Sequence, residues 1–167
     1  MDASSRSYFV CWVRFNQKDI YLIWYSSHDG RYDCRVLVDE NNCIRVFHDV
    51  PSLQRFADAN QIVLQLEEPI LCNFDIVKSW LQNPRRSSVD QSEFLSVWNL
   101  CDDIAYSVND QKFVVYIKQH IRLWSDLLWS VHPIRHKRDV RVLRRVLAHG
   151  IELFRSHIAL SSKEIEC

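Results

Sequence analysis

The first half of the chain alternates apolar and polar residues in short runs, the pattern that half-buried β-strands produce. Aromatic and β-branched residues are concentrated in four such runs: residues 8–15, 20–25, 32–38 and 44–47. Short polar segments with turn-forming residues separate the runs. Four consecutive strands joined by short turns predict an antiparallel meander.

The next part of the chain mixes helical and strand patterns. Asp49 followed by Pro51 indicates the start of a short helix. Residues 62–66 are mostly apolar and predict one more strand. A second helix, opened by Asn73 or Asp75, would end before Pro84. Its apolar residues recur at helical spacing: Phe74, Val77, Trp80 and Leu81.

Residues 85–88 form a polar, linker-like segment, and every apolar pattern after it has helical period. Three amphipathic helices are predicted, over residues 94–108, 113–131 and 140–158. We therefore expect an α+β protein in which an N-terminal antiparallel meander sheet packs with a C-terminal bundle of amphipathic helices. Residues 1–167 would form a single domain, with a sheet-rich half (1–83) and a helical half (84–167).

Composition narrows the classes of function. The chain has two glycines, Gly30 and Gly150, which excludes the glycine-rich loops that bind phosphates and dinucleotides. Six cysteines are scattered without a C-x-x-C pair, as expected of a reduced, cytoplasmic protein. Formal net charge is zero, but Asp and Glu exceed Lys and Arg before Pro84 and are outnumbered after it.

Candidate catalytic and metal-binding patterns are few. His132 and His136 have a spacing that could hold zinc, but Pro133 lies between them and Arg135 and Lys137 would repel a cation. No signature of a hydrolase or metalloprotease occurs. The sequence therefore predicts a protein that is not an enzyme and that uses no metal or cofactor.

Three polar side chains lie on the helical patterns of the second half. His120 sits on an apolar stripe, which favours a core histidine bonded to a neighbour over a general base. Asn99 and Asp103 are four residues apart and face together on their helix. This pair could either fix a neighbouring segment or contact a partner, and the structural role is favoured.

The last helix carries the one basic patch of the chain. Arg138, Arg141 and Arg145 form a stripe opposite the apolar face of that helix. Arg135, Lys137 and Arg144 flank it. Basic helical faces can bind nucleic acid, so a nucleic-acid-binding module using this stripe is the alternative hypothesis for function. Zero net charge and the lack of a glycine-containing helix-turn-helix argue against it.

Four motifs in the second half resemble those of one protein family. They are W-L-x-x-P at residues 80–84, N-L-x-x-D-I-A at 99–105, a tryptophan-containing helix end leading to proline at 127–133, and the closing helix at 146–154. The stretch from the first to the last of these motifs, residues 80–154, covers about half of the chain. In these motifs the chain resembles the immunity proteins of bacterial contact-dependent growth inhibition systems. A glycine and an asparagine that such relatives often carry before the proline are missing here, where residues 130–132 are Ser-Val-His.

The resemblance implies a cytoplasmic protein of the toxin-producing cell, without catalytic activity. Its partner would be the C-terminal toxin domain of a matching exported protein, often a nuclease, whose active site it occludes. No membrane or small-molecule substrate is implied.

A nuclease must be basic where it binds phosphate, so the toxin should meet acidic groups of the inhibitor. Trp129 falls outside the apolar stripe of its predicted helix and should be partly exposed, either as a partner contact or against a loop. The other candidate partner-binding residues are acidic: Asp29, Asp33, Asp39, Glu40, Asp102 and Asp103.

Overall fold

A computed structural model describes residues 6–27, 33–84, 89–129 and 136–158. In these residues a mixed β-sheet comes first and helices follow, so the predicted α+β class is confirmed. The strands lie in the order β3 (Asp33–Val36), β2 (Lys18–Ser27), β1 (Arg6–Phe15) and β5 (Leu71–Asn73), and β4 (Val46–Phe47) also pairs with β2. One continuous core joins the sheet to the later helices, and a smaller apolar cluster lies beneath the first helix.

The sheet is organised around a long hairpin. Strands β1 (Arg6–Phe15) and β2 (Lys18–Ser27) pair antiparallel along their full length. The turn consists of Asn16 and Gln17, both in the left-handed region with φ of 53° and 62°, as a two-residue hairpin turn of type I′ requires. The Asp75 carboxylate accepts the backbone N–H groups of both residues, at 2.8 and 2.6 Å, and so fixes the turn to the second helix.

The third and fourth strands share one partner, which corrects the predicted four-stranded meander. Strand β3 (Asp33–Val36) pairs with the second half of β2, and β4 (Val46–Phe47) pairs with Tyr21 and Leu22 of the same strand. Because β3 is short, it leaves part of the edge of β2 uncovered. Strand β4 occupies that part instead of extending the sheet beyond β3.

The strand predicted at residues 62–66 was wrong in extent and position. The structure gives this stretch one bridge, Leu64 to Tyr8, whereas β5 (Leu71–Asn73) pairs parallel with β1 further on. Between these two contacts β1 advances from Tyr8 to Trp12 while the neighbouring segment advances from Leu64 to Leu71. The segment therefore has three more residues than the stretch of β1 beside it, so residues 66–70 bulge away from the ladder.

Six helices are present in the described residues. Their bounds are α1 (Val50–Ala59), α2 (Phe74–Gln82), α3 (Gln91–Ser107), α4 (Gln111–Gln119), α5 (Ile121–Trp129) and α6 (Lys137–His157). The predicted start at Asp49 is confirmed, because its carboxylate accepts the Ser52 N–H. Of the two predicted caps of α2 the structure uses Asn73, whose side chain accepts the N–H groups of Asp75 and Ile76.

The single helix predicted over residues 113–131 is two helices, α4 and α5, separated at His120. A carbonyl only accepts, so the His120 Nδ1–H donates to the Tyr116 oxygen at 2.8 Å. The backbone N–H of His120 bonds to the Ile117 oxygen instead. The side chain thus takes the carbonyl that would have continued the helix. A single helix over residues 113–131 would place Trp124 on the apolar stripe, but Leu123 is buried and Trp124 is half-buried.

Helix α3 packs closely on α6 at Gly150. A Cβ at this position would overlap Cys101 Sγ and lie 2.5 Å from Cys101 Cβ, which is fixed to the α3 backbone. The two helices would have to separate to make room. The absence of a side chain at residue 150 therefore sets the distance between them.

Gly150→Ala should accordingly lower the free energy of unfolding by about 1–3 kcal/mol, the usual cost of overpacking. Helix propensity alone would favour alanine by about 1 kcal/mol. Urea denaturation measures the change. The double variant Cys101→Gly/Gly150→Ala places the side chain on α6 and removes the one that it would meet on α3. Its loss of unfolding free energy should be smaller than the sum of the losses of the two single variants. A Gly150→Ala protein as stable as the wild type would contradict this packing.

Candidate functional site

The most site-like feature is a cleft of about 530 Å³ between α3 and the β1–β5 edge of the sheet. We call it the edge cleft. Its floor comes from the hairpin, its wall from α3, and its rim from the bulged segment before β5. The floor consists of Phe9, Val10, Cys11 and Trp24. The wall consists of Ser96, Asn99, Leu100 and Asp103. The rim consists of residues 67–72.

A hydrogen bond across the edge cleft joins its floor to its wall. Trp24 Nε1 donates to Asp103 Oδ2 at 2.8 Å. One turn further along α3, the Ser107 hydroxyl donates to the Asp103 backbone oxygen at 2.6 Å and accepts the Val36 N–H at 2.8 Å. Helix α3 is thereby attached to β2 and β3. The Asp103 carboxylate is held in place on the cleft wall before any partner binds.

The lining of the edge cleft carries charge of one sign. Glu67, Glu68 and Asp103 are its charged residues, and among the described residues its lining includes no Lys, Arg or His. The rim also presents apolar side chains to solvent, because Leu66 is fully exposed and Ile70 is 83% exposed. Exposed apolar residues beside a concave, acidic surface are typical of a protein-binding site.

Two thiols line the edge cleft, and neither is reactive. Burial raises the pKa of the Cys11 thiol to about 12, with a further contribution from the Asp103 charge. Burial also raises the pKa of Cys72 well above its ordinary range. Both side chains stay protonated at neutral pH, and the nucleophile in cysteine chemistry is the thiolate. The environment of these two thiols therefore disfavours thiolate formation.

The acidic residues proposed from the sequence do not form one surface. The Asp39 carboxylate accepts the N–H groups of Asn41 and Cys43, at 2.8 and 2.9 Å, and these bonds lower its pKa. It shapes the turn, whereas the neighbouring Glu40 is exposed. Asp33 begins β3, on the far edge of the sheet from the cleft. Asp29 lies outside the described residues.

Asp102 and Asp103 diverge on α3, and the two carboxylates have different environments. Asp103 lines the edge cleft. Asp102 is half-buried, and among the described residues its Oδ1 has no hydrogen-bond partner. Burial raises the pKa of Asp102 to about 6, and the Lys118 ammonium offsets part of this increase. Asp102 thus belongs to the side of α3 that approaches α4 and not to the cleft.

Because the folded state raises the pKa of Asp102 above its usual 3.8, folding favours the protonated form. The stability contribution of this group should rise as pH falls from about 7 to about 4. Asp102→Asn should raise the free energy of unfolding by about 1 kcal/mol at pH 7.5, after allowance for solvent screening. The gain should vanish near pH 4. Thermal unfolding between pH 4 and pH 7.5 measures this gain in stability, and Asp126→Asn, at an exposed position, is the control. A gain that grows as the pH falls would contradict a raised pKa of Asp102.

Two tryptophans explain the polar pair on α3. Trp124 Nε1 donates to Asn99 Oδ1 at 2.6 Å, and Trp24 bonds to Asp103 as described. Each member of the pair therefore fixes a neighbouring element, the role that the sequence favoured. Trp129, at the end of α5, is 78% exposed, so the predicted exposure is confirmed.

Sequence reasoning did not single out Glu67, Glu68, Leu66 or Ile70. The available signal was a pair of acidic residues and a proline between apolar residues, directly after the stretch predicted as a strand. That pattern is unsuited to the middle of a sheet. It could have indicated a bulged, exposed edge.

Of the predicted basic stripe, Arg138, Arg141 and Arg145 are all exposed on α6. Arg135 and His132 lie outside the described residues.

Within the described part of the chain no group of three His, Cys, Asp or Glu side chains could hold a metal ion. No helix there has an apolar stretch long enough to cross a bilayer.

Comparisons with known proteins bear on the fold. No family model matches the chain, and no curated protein matches it. It is similar to a solved crystal structure, that of the SatS C-terminal domain in complex with bromine, with a TM-score of 0.58. The alignment covers 92% of each chain at 12% sequence identity. At this identity the likeness extends to the fold alone.

Proposed function

We propose that this protein is a cytoplasmic immunity protein that binds the C-terminal toxin domain of a bacterial contact-dependent growth inhibition system. It acts by occluding the active site of the toxin and has no catalytic activity of its own. The observation that carries the proposal is the edge cleft. In the part of the chain that the structure describes, it combines three carboxylates with an exposed apolar rim and has no cation in its lining.

The rim supports a protein as the occupant of the cleft. Leu66 and Ile70 expose apolar surface to water in the free protein, and covering that surface releases about 25 cal/mol per Å². Phe9 and Trp24 add aromatic surface on the floor, with ring centroids 5.1 Å apart. Aromatic anchors in a concave site are the usual source of binding energy in protein interfaces.

The charge of the cleft supports a basic partner. A nuclease presents Lys and Arg where it holds phosphates, and these side chains would meet Glu67, Glu68 and Asp103. Trp24 already orients the Asp103 carboxylate, so little side-chain ordering remains to be done on binding. Glu67 and Glu68 are exposed and would act mainly by steering the toxin toward the cleft.

The family resemblance supports the same surface. The motif at residues 99–105 lies on α3, and its Asn99 and Asp103 line the edge cleft. Binding there places the contact on α3 and the bulged edge, away from the Asp39 turn.

The five described cysteines are free thiols, as expected of a reducing cytoplasm.

Co-production of this chain with the toxin domain encoded immediately upstream tests the proposed function. Cells that make the toxin domain alone should stop growing, and cells that also make this protein should grow normally. A purified toxin domain should in addition form a one-to-one complex with it. Absence of protection, with the protein folded and abundant, would reject the immunity function.

A further inference from the structure

A second charged surface lies on α4 and α6, and the proposed toxin contact leaves it unexplained. We call it the basic face and define it by Lys112 of α4 and Arg138, Arg141 and Arg145 of α6. All four side chains are exposed. On α6 the stretch 137–145 contains five Lys or Arg and one acidic residue, Asp139. The basic face is thus strongly positive in a chain of zero net charge.

The arginines of the basic face form a row. Arg138, Arg141 and Arg145 are three and four residues apart, so they follow one another at about 4.5 and 6 Å along the helix axis. Arg144 points to another neighbour, because its Nη2 donates to the Leu81 oxygen at 3.4 Å. A row of three cations within about 10 Å suits a chain of regularly spaced negative groups, such as the phosphates of a nucleic-acid strand.

An aromatic ring supports one cation of the basic face. The Arg145 guanidinium lies 4.9 Å from the centroid of the Tyr116 ring. Such contacts fix a long side chain while its outer surface stays accessible. A guanidinium held on a ring can pair with phosphate through its N–H groups or stack against an unpaired base.

A small cavity of about 200 Å³ adjoins this contact and is lined by Lys112, Phe113, Tyr116, Arg145 and His149. The His149 ring contacts Phe113, with centroids 4.3 Å apart, and its Nε2 lies 3.3 Å from Asp110 Oδ2. The Asp110 charge is therefore directed to His149. Lys112 and Arg145 are the cations of this cavity available to an anionic ligand.

We propose that the basic face binds single-stranded nucleic acid. The arginine row pairs with consecutive phosphates, and the Tyr116–Arg145 stack receives a base. A cation held on an aromatic ring favours a nucleic-acid strand over an acidic protein segment, because carboxylate side chains offer no ring to stack. A single strand suits this stack better than a duplex, because its unpaired bases are free to stack. The proposal is independent of toxin binding at the edge cleft.

Fluorescence anisotropy with a labelled 12-nucleotide RNA and the same DNA sequence tests the proposal on the full chain. We expect micromolar affinity at 50 mM salt, falling steeply as salt rises. Arg141→Glu/Arg145→Glu should weaken binding at least tenfold. It should also lower the slope of log affinity against log salt by about 1.4, since each phosphate contact to a single strand contributes about 0.7.

Two variants separate charge from stacking. Lys18→Glu/Arg55→Glu makes the same charge change at exposed positions away from the basic face and should alter the affinity less than threefold. Tyr116→Leu should weaken binding severalfold with little change in the salt slope. The relative affinities for RNA and DNA identify which strand is preferred.

The proposal is overturned if neither oligonucleotide binds at 50 mM salt, or if Arg141→Glu/Arg145→Glu weakens binding no more than Lys18→Glu/Arg55→Glu does. It is also overturned if a glutamate peptide of equal charge binds as tightly as the oligonucleotides, or if the matching duplex binds more tightly than either strand. Circular dichroism of each variant confirms that the fold is retained.

Discussion

Replacing Trp98 with alanine should lower the free energy of unfolding by about 3–5 kcal/mol, a large fraction of the stability of a domain of this size. Trp98 lies on α3, is 1% exposed and is one of the largest fully buried side chains. It belongs to the core that joins the sheet to the helices. Its removal leaves a cavity that the surrounding rigid elements cannot fill. Urea denaturation of the purified variant measures the loss.

Trp124→Ala provides the matched control. Trp124 is half-buried, and its indole N–H bonds to the exposed Asn99. It therefore loses less buried surface and a weaker hydrogen bond, and we expect about 1–2 kcal/mol. Equal losses for the two variants would show that the helical phase assigned to α3 or the break before α5 is incorrect.

The parts of the fold that the sequence predicted are those determined locally. The helical period predicts one apolar face for residues 94–108, and the structure buries that face, because a period of 3.6 residues assigns a face without knowledge of the partner. The buried residues of this face are Phe94, Val97, Trp98, Cys101, Ile104, Ala105 and Val108. The caps Asp49 and Asn73 are equally local, since each side chain bonds to N–H groups two or three residues later.

The parts that the sequence did not predict depend on contacts between distant residues. Strand β4 pairs with β2 because β3 is too short to cover it. Strand β5 is three residues long and is defined by its place beside β1. The break at His120 depends on one side-chain hydrogen bond that an apolar pattern does not encode.

The candidate site divides in the same way. Asp103 could be predicted because its position on α3 follows from helical spacing. Glu67 and Glu68 could not, since their contribution depends on the bulge of residues 66–70 next to β1. The sequence predicts Asp39 as an acidic partner contact, but its carboxylate accepts two backbone N–H groups of its own turn.

Reversing the charge of the edge cleft should have the largest effect on function. Glu67→Lys/Glu68→Lys should slow association with the toxin domain by about 10- to 100-fold at low salt, because steering by complementary charge accounts for rate factors of this size. Both residues are exposed, so the fold should be retained. Stopped-flow fluorescence gives the association rate, and the difference from wild type should shrink as salt screens the charges.

The control is Glu40→Lys/Asp58→Lys, which makes the same change in net charge at exposed positions outside the edge cleft. Its association rate should stay within about threefold of the wild-type rate, since screening limits the reach of a surface charge to about 10 Å at 0.1 M salt. Equal slowing by both variants would mean that net charge, and not the cleft, controls the encounter.

Hydrogen exchange of the wild-type protein, with and without the toxin domain, tests most directly whether the edge cleft is the toxin-binding surface. Amides of the bulged segment, residues 66–70, are outside the sheet ladder and should exchange rapidly in the free protein. We expect that the toxin slows exchange in this segment and leaves the Asp39 turn and residues 137–145 unchanged. Slowed exchange at the turn or on α6, with residues 66–70 unaffected, would contradict it.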